Sequence, residues 1–155
     1  VVVLLIIILS IVFGSSYKKP IDYMFKGMEK ANAKTFIKAF PKIMKDDIEE
    51  KYDNDELEDL KESLEKEYGE KIKITYKILD KEKIDKDDLE DVQESLEDKY
   101  DDAKKSETKV TAGYKLTLKV TIKGKDDKES NSIPVNVYKI GGKWCIAYTS
   151  TSSLF

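Results

Sequence analysis

One stretch of the chain, K-V-T-A-G-Y-K-L-T-L-K-V-T-I-K from Lys109 to Lys123, alternates apolar and polar side chains almost without fault. In an extended strand, successive side chains point to opposite faces, so the apolar residues share one face and the Lys and Thr residues share the other. The stretch therefore predicts a long strand with one face covered by protein and the other in water. Gly113 interrupts it, and we expect a β-bulge there.

Two further segments carry the same two-residue period. Lys71 to Leu79 alternates Ile and Tyr with Lys and Thr, and a third strand is predicted around Ile133 to Ile140. Gly141 and Gly142 then form a tight hairpin turn into a last short strand. The sequence thus predicts four antiparallel strands, with turns joining the last three.

Helical spacing precedes and separates these strands. An apolar stripe from Ile21 to Met28 predicts a first helix, and Asn32 is a candidate N-cap for a short second helix that ends at Pro41. The segments Asp53 to Tyr68 and Asp85 to Tyr100 are similar in sequence, begin 32 residues apart, and each predict an amphipathic helix with an acidic first turn. The economical arrangement is an α+β fold, with N-terminal helices packed on one face of a curved four-stranded antiparallel sheet.

The first thirteen residues, V-V-V-L-L-I-I-I-L-S-I-V-F, carry no charge. Thirteen helical residues span about 20 Å, less than the roughly 30 Å of a bilayer core, and the chain starts with Val, so we expect the hydrophobic run to continue upstream. The end of a transmembrane anchor, a signal peptide cut near Ser16, and a buried strand or helix all fit the pattern. We predict a hydrophobic membrane anchor over residues 1–16 and a single α+β domain over residues 17–155.

The charge composition excludes several classes of site. Lys supplies all 28 positive charges, because the sequence has neither Arg nor His, and 31 acidic residues leave a net charge of −3. Arg is the usual bidentate reader of phosphates and bases, and His is the commonest general base and metal ligand. We therefore expect no nucleic-acid partner, no catalytic motif, no metal site and no cofactor. The single cysteine, Cys145, is predicted to be a small packing residue.

Three features together resemble a known superfamily: the segment A-N-A-K-T-F-I-K-A-F-P from Ala31 to Pro41, the long strand interrupted by Gly113, and the final hairpin G-G-K-W-C-I-A-Y from Gly141 to Tyr148. They look like a cone-shaped nuclear transport factor 2-like (cystatin-like) domain. They are similar in particular to uncharacterised Gram-positive bacterial envelope-anchored domains. Many members of the superfamily are binding or dimerisation modules, whereas its isomerase-like and dehydratase-like members act on a small molecule inside the cone. None of their catalytic residues can be matched here.

Two sets of side chains are candidate functional residues. Those expected to face into the cone as ligand contacts are Tyr76, Tyr114, Tyr148 and Trp144. Those expected on the outer, basic face of the sheet as a partner surface are Lys71, Lys73, Lys77, Lys115, Lys119 and Lys123. No carboxylate is expected to point into the cone, so an acid–base catalyst would lack its central group.

We predict a membrane-tethered binding or protein-interaction domain without catalytic activity, held through residues 1–16 at the extracytoplasmic face of a bacterial membrane. Its partner would be an envelope protein or a second copy of the chain. The alternative is a small-molecule enzyme, isomerase-like or dehydratase-like, that uses the interior of the cone. A tether that faces the cytoplasm is a third option, because Lys18 and Lys19 follow the hydrophobic run and positive flanks favour that side.

Overall fold

A computed structural model describes residues 16–147 of the chain. Its helices are α1 (Lys19–Lys30), α2 (Ala33–Ile37), α3 (Lys45–Lys51), α4 (Asn54–Tyr68), α5 (Lys86–Lys99) and α6 (Lys105–Thr108), with 3-10 turns at Ser16–Lys18 and Lys42–Met44. Its strands are β1 (Lys73–Lys83), β2 (Val110–Lys123), β3 (Lys128–Ile140) and β4 (Lys143–Cys145). The predicted anchor lies outside the described residues, apart from Ser16. Among the described helices, none is both long and apolar enough to span a bilayer.

The four strands form one open antiparallel sheet in the order β1-β2-β3-β4. This confirms the predicted α+β class and the four-stranded antiparallel sheet. Leu116, Leu118 and Val120 of β2 are buried on what we call the inner face. Lys115 and Lys119 alternate with them on the outer face. Two strands are longer than predicted, because β1 continues to Lys83 and β3 already begins at Lys128.

The sheet contains two bulges, and neither is at Gly113. In β1 the register shifts between Ile78 and Asp80, so Leu79 is the extra residue and its side chain is 51% exposed. In β2 the register shifts between Val110 and Ala112, shortly before the predicted position. Because side chains alternate along a strand, each bulge changes which face the following residues occupy.

Helix α1 covers the inner face of the sheet, as predicted. Met24 is buried there, and the Phe25 ring lies 5.8 Å from the ring of Tyr76 on β1. Glu29 of α1 accepts a hydrogen bond of 3.0 Å from the backbone N–H of Ile74, which is in the edge strand β1. The helix therefore closes the inner face and satisfies one of the donors that an edge strand leaves unpaired.

Helix α5 packs on the outer face, so the prediction that the helices lie on one face is wrong for this helix. Gly113 of β2 makes the approach possible, since a Cβ there would lie 2.8 Å from Ile84 Cδ1 and 3.0 Å from Leu89 Cδ2. Gln93 of α5 accepts a hydrogen bond of 3.1 Å from the backbone N–H of Val110. The acidic helix therefore has its own small core and covers one end of the face that was expected to stand in water.

The two similar segments form helices with the predicted caps but bury different residues. Asp53 and Asp85 each accept a hydrogen bond of 2.9 Å from the backbone N–H three residues later. In α4 the fully buried leucine is Leu57, near the start of the helix, whereas in α5 it is Leu96, near the end. The same sequence pattern therefore meets the core at opposite ends of the two helices.

Candidate functional site

Lysines of neighbouring strands stand directly opposite one another on the outer face. Lys73 of β1 pairs with Lys123 of β2, and Lys77 pairs with Lys119. Lys128 of β3 pairs in turn with Lys123 and extends that row. We call these five residues the lysine face. Directly opposed residues in antiparallel strands are about 5 Å apart, so each row holds its positive charges side by side.

The lysine face is exposed and its charges have no acidic partners. All five side chains are exposed, and none forms an ion pair with a carboxylate among residues 16–147. A row of hydroxyl side chains lies between the two lysine rows. Within this row, Thr121 Oγ1 and Ser130 Oγ share a hydrogen bond of 2.7 Å. The result is an exposed surface with positive charges in two rows and hydrogen-bonding groups between them.

Two of the predicted partner-surface lysines do not belong to the lysine face. Lys71 precedes β1 and has a left-handed backbone with φ of 62°. Lys115 is opposite Glu82 and forms an ion pair of 2.9 Å with Asp88 of α5, which raises the pKa of Lys115. Helix α5 therefore neutralises Lys115 at the end of the outer face that it covers, whereas the five lysines of the lysine face lie nearer the β2–β3 turn.

The predicted ligand contacts are divided between two places on the inner side. Tyr114 and Trp144 stack with ring centroids 5.5 Å apart and an interplanar angle of 14°. Tyr17, which sequence analysis did not select, packs against both rings, at 5.1 Å and 6.2 Å. We call Tyr17, Tyr114 and Trp144 the aromatic corner. Tyr148 lies outside the described residues.

Tyr76 is distant from the aromatic corner along the sheet. It pairs with Val120, six residues from Tyr114, which corresponds to roughly 20 Å along β2. Its hydroxyl donates a hydrogen bond of 2.8 Å to Asp22 of α1, and burial together with this carboxylate raises the pKa of Tyr76. The structure therefore gives Tyr76 a structural role in joining α1 to β1.

An open pocket of about 400 Å³ lies elsewhere, between the 3-10 turn Lys42–Met44 and the loop that follows α5. Asp46, Lys99 and Tyr100 are among its lining residues. Beside it, Asp47 accepts hydrogen bonds from Lys99 at 2.9 Å and from Tyr100 at 2.6 Å, and these hold the pKa of Asp47 below its usual value. These contacts tie α3 to the end of α5. No predicted site residue lines this pocket.

Within the described part of the chain, no group of three or more His, Cys, Asp or Glu side chains has an arrangement that would hold a metal ion. The acidic residues are instead spread along the exposed surfaces of α4 and α5.

Cys145 is expected to be unreactive in the folded protein. Its side chain is fully buried, its Sγ donates a hydrogen bond of 3.4 Å to the carbonyl of Tyr138, and burial raises the thiol pKa from 9.0 to about 12. We therefore expect Ellman's reagent at about pH 8 to leave the folded protein unmodified, because the reagent needs an accessible thiolate. The same thiol should react promptly after unfolding in guanidinium.

The raised pKa of Cys145 also predicts how stability changes with pH. Its contribution to stability is fully present below pH 9.0 and is lost as the pH rises towards about 12, because the unfolded thiol ionises first. If Ellman's reagent labelled Cys145 in the folded protein as fast as in the unfolded protein, that result would contradict the burial of Cys145.

Sequence analysis missed three residues that belong to these surfaces. Lys128 lies before the predicted third strand, because the turn after Gly124 is short and β3 begins earlier than its apolar residues indicate. Tyr17 precedes the apolar stripe that predicts the first helix, so no periodic signal marks it. Lys81 lies beyond Leu79, where the predicted first strand ends, and the structure places its Nζ 5.0 Å from the Tyr114 ring centroid.

Comparison with known proteins gives no match: no family model, no curated protein and no solved structure shows significant similarity to this chain.

Proposed function

We propose that this chain is a membrane-tethered, extracytoplasmic binding domain without catalytic activity, and that the lysine face docks an acidic surface of a partner protein. The observation that carries the proposal is the direct opposition of Lys73 with Lys123 and of Lys77 with Lys119. Like charges opposite each other destabilise a sheet, by a few tenths of a kcal/mol or more for each pair. A negatively charged partner would remove this repulsion.

The chemistry of the lysine face favours an acidic protein over a nucleic acid. The positive charges are all ammonium groups, which act as point charges, and the chain has no guanidinium group to hold a phosphate in a bidentate manner. The Thr and Ser hydroxyls between the rows offer both donors and acceptors to the side chains of a polypeptide. Electrostatic complementarity of this kind accelerates association and selects partners.

The position of Tyr17, which directly follows residues 1–16, is compatible with a tether. If residues 1–16 anchor the domain in a membrane, the chain joins the domain at Tyr17, beside Tyr114 on the inner side of the sheet. Lys119 is on the opposite face and five residues along β2, which is roughly 17 Å. The lysine face would then point away from the anchor and be accessible to a partner. We also propose that the domain is a distant member of the nuclear transport factor 2-like group, supported by its N-terminal helices, its long antiparallel strands and its final hairpin.

Lys119→Glu is expected to weaken binding while it stabilises the fold. The full chain in nonionic detergent would be titrated with poly-L-glutamate, a model acidic polypeptide, at low ionic strength. We expect affinity to fall about tenfold, since a positive charge at the centre of the surface becomes negative. In the same variant, the pair with Lys77 becomes attractive, so the free energy of unfolding should rise by roughly 0.5 kcal/mol.

Lys34→Glu is the matched control, because Lys34 is exposed on α2 and the substitution changes the net charge equally. Equal loss of affinity in both variants would show a general charge effect and overturn the proposal. Tighter binding to a DNA oligonucleotide than to poly-L-glutamate would replace the acidic protein with a nucleic-acid partner.

A further inference from the structure

The bulge at Leu79 moves a lysine from the outer face to the inner face. Without the bulge, the two-residue period would place Lys81 beside Lys77. With it, Lys81 pairs with Leu116, whose side chain is buried on the inner face. Bulges often re-aim a side chain in this way. Here the re-aimed side chain reaches the aromatic corner.

The ammonium group of Lys81 occupies the space between two tyrosine rings. Its Nζ lies 5.1 Å from the ring centroid of Tyr17 and 5.0 Å from that of Tyr114, and the two rings are inclined by 56°. Trp144 stacks against Tyr114 and fixes the orientation of that ring. Lys81 has no ion pair with any described carboxylate, so the two tyrosine rings are the groups that attract its charge. A cation within about 6 Å of an aromatic centroid is attracted by the ring quadrupole.

We propose that the aromatic corner is a binding site for a quaternary ammonium group, and that Lys81 occupies this site in the free protein. Tyr17 and Tyr114 supply the two walls, and Trp144 is a positioning residue. Tyr17, Tyr114 and Trp144 are all only partly buried, so a ligand can reach them from solvent. This site is separate from the lysine face, because it lies on the opposite face of the sheet.

The chemistry of the two cations favours exchange. A primary ammonium is strongly hydrated, and Lys81 is exposed enough to return to water. A quaternary ammonium cannot donate hydrogen bonds to water and is the cation that aromatic sites recognise best. However, Lys81 is tethered beside the rings, and its effective concentration is in the millimolar range or above. The apparent affinity of the unaltered protein for the ligand is therefore lowered, because only the sites that Lys81 leaves free can bind.

Lys81→Ala is expected to tighten the binding of choline about tenfold, because it removes the tethered competitor and leaves both walls in place. Choline chloride would be titrated into the full chain in nonionic detergent, which carries no quaternary ammonium. Trp144 is the only tryptophan in the sequence, so its indole N–H resonance reports on the site without ambiguity. The near-ultraviolet circular dichroism of Trp144 would show that the corner stays folded.

Lys77→Ala is the matched control, since Lys77 is an exposed residue of the same strand on the outer face, away from the aromatic corner, and its removal changes the net charge equally. We expect it to leave choline affinity unchanged. We also expect Tyr114→Leu, added to Lys81→Ala, to abolish binding. The uncharged analogue 3,3-dimethylbutan-1-ol should bind far more weakly than choline. Equal affinity of Lys81→Ala and Lys77→Ala for choline, or equal binding of the uncharged analogue, would overturn the proposal.

Discussion

Leu57→Ala and Leu96→Ala should each lower the free energy of unfolding by about 3 kcal/mol, whereas Leu64→Ala and Leu89→Ala should each lower it by about 1 kcal/mol. The four leucines occupy corresponding positions of the two similar helices, because Leu57 matches Leu89 and Leu64 matches Leu96. Leu57 and Leu96 are 0% and 2% exposed, while the other two are only partly buried. Removing a fully buried side chain leaves a cavity, whereas a partly exposed site loses less contact.

Denaturant unfolding of the four variants would measure these differences directly. The comparison is internally controlled, since every variant makes the same chemical change in a helix of similar sequence. The informative result is that the larger loss of stability falls at Leu57, early in α4, but at Leu96, late in α5. Equal costs at Leu89 and Leu96 would contradict the uneven burial of α5, in which Leu96 is fully buried and Leu89 only partly buried.

Gly27→Ala is expected to lower the free energy of unfolding by about 2 kcal/mol, although alanine is the better helix former by about 1 kcal/mol. Gly27 is buried in α1, and a Cβ there would lie 2.6 Å from the Cα, Cβ and N of Phe36 in α2. Those atoms cannot move freely, because the N–H of Phe36 is bonded to the carbonyl of Asn32 at 3.0 Å and its ring packs 5.2 Å from that of Phe40. The added methyl group must therefore separate the two helices.

Lys26→Ala is the control for Gly27→Ala, because Lys26 is exposed at the neighbouring position of α1 and its replacement should change stability by less than about 0.5 kcal/mol. Thermal or denaturant unfolding followed by circular dichroism would measure both variants. Stability of Gly27→Ala at or above that of the unaltered chain would show that α2 can shift without cost.

Elements whose buried residues recur with a regular period could be predicted from the sequence. The alternation of Lys109 to Lys123 predicted β2, and the stripe from Ile21 to Met28 predicted α1 and its buried side. The caps at Asn32, Asp53 and Asp85 were also confirmed, because an acidic or amide side chain before a helix has a local partner three residues later. Such signals are local, so they can be recognised without knowledge of the tertiary structure.

The side of the sheet that α5 covers could not be predicted from its own pattern. An amphipathic stripe shows that a helix has a buried side, but it does not show which layer it joins. The relevant signal is Gly113, where a glycine inside a strand predicts a bulge but in the structure provides space for Leu89 and Ile84. The end of β1 was missed for a related reason, since the segment from Asp80 to Lys83 is entirely charged and carries no apolar alternation.

The candidate surfaces were predicted in part. The opposition of Lys73 and Lys77 to Lys123 and Lys119 required the register between β1 and β2, which alternation alone does not define. The contact of Lys81 with the aromatic corner required the bulge as well. Periodicity therefore identified the residues that belong to each strand, and the pairing of strands determined which of them act together.

The bulge at Leu79 separates the charges of the segment that follows it. Asp80, Lys81, Glu82 and Lys83 alternate in sign along the chain, so one extra residue decides which sign each face receives. As the structure stands, the acidic pair joins the outer face next to Lys115 and the basic pair joins the inner face. If Leu79 paired with Thr117 and no bulge formed, the two pairs would exchange faces without any change in the composition or the net charge. Deleting Leu79 would instead leave each pair on its present face, because Asp80 would follow Ile78 directly and keep its pairing with Thr117.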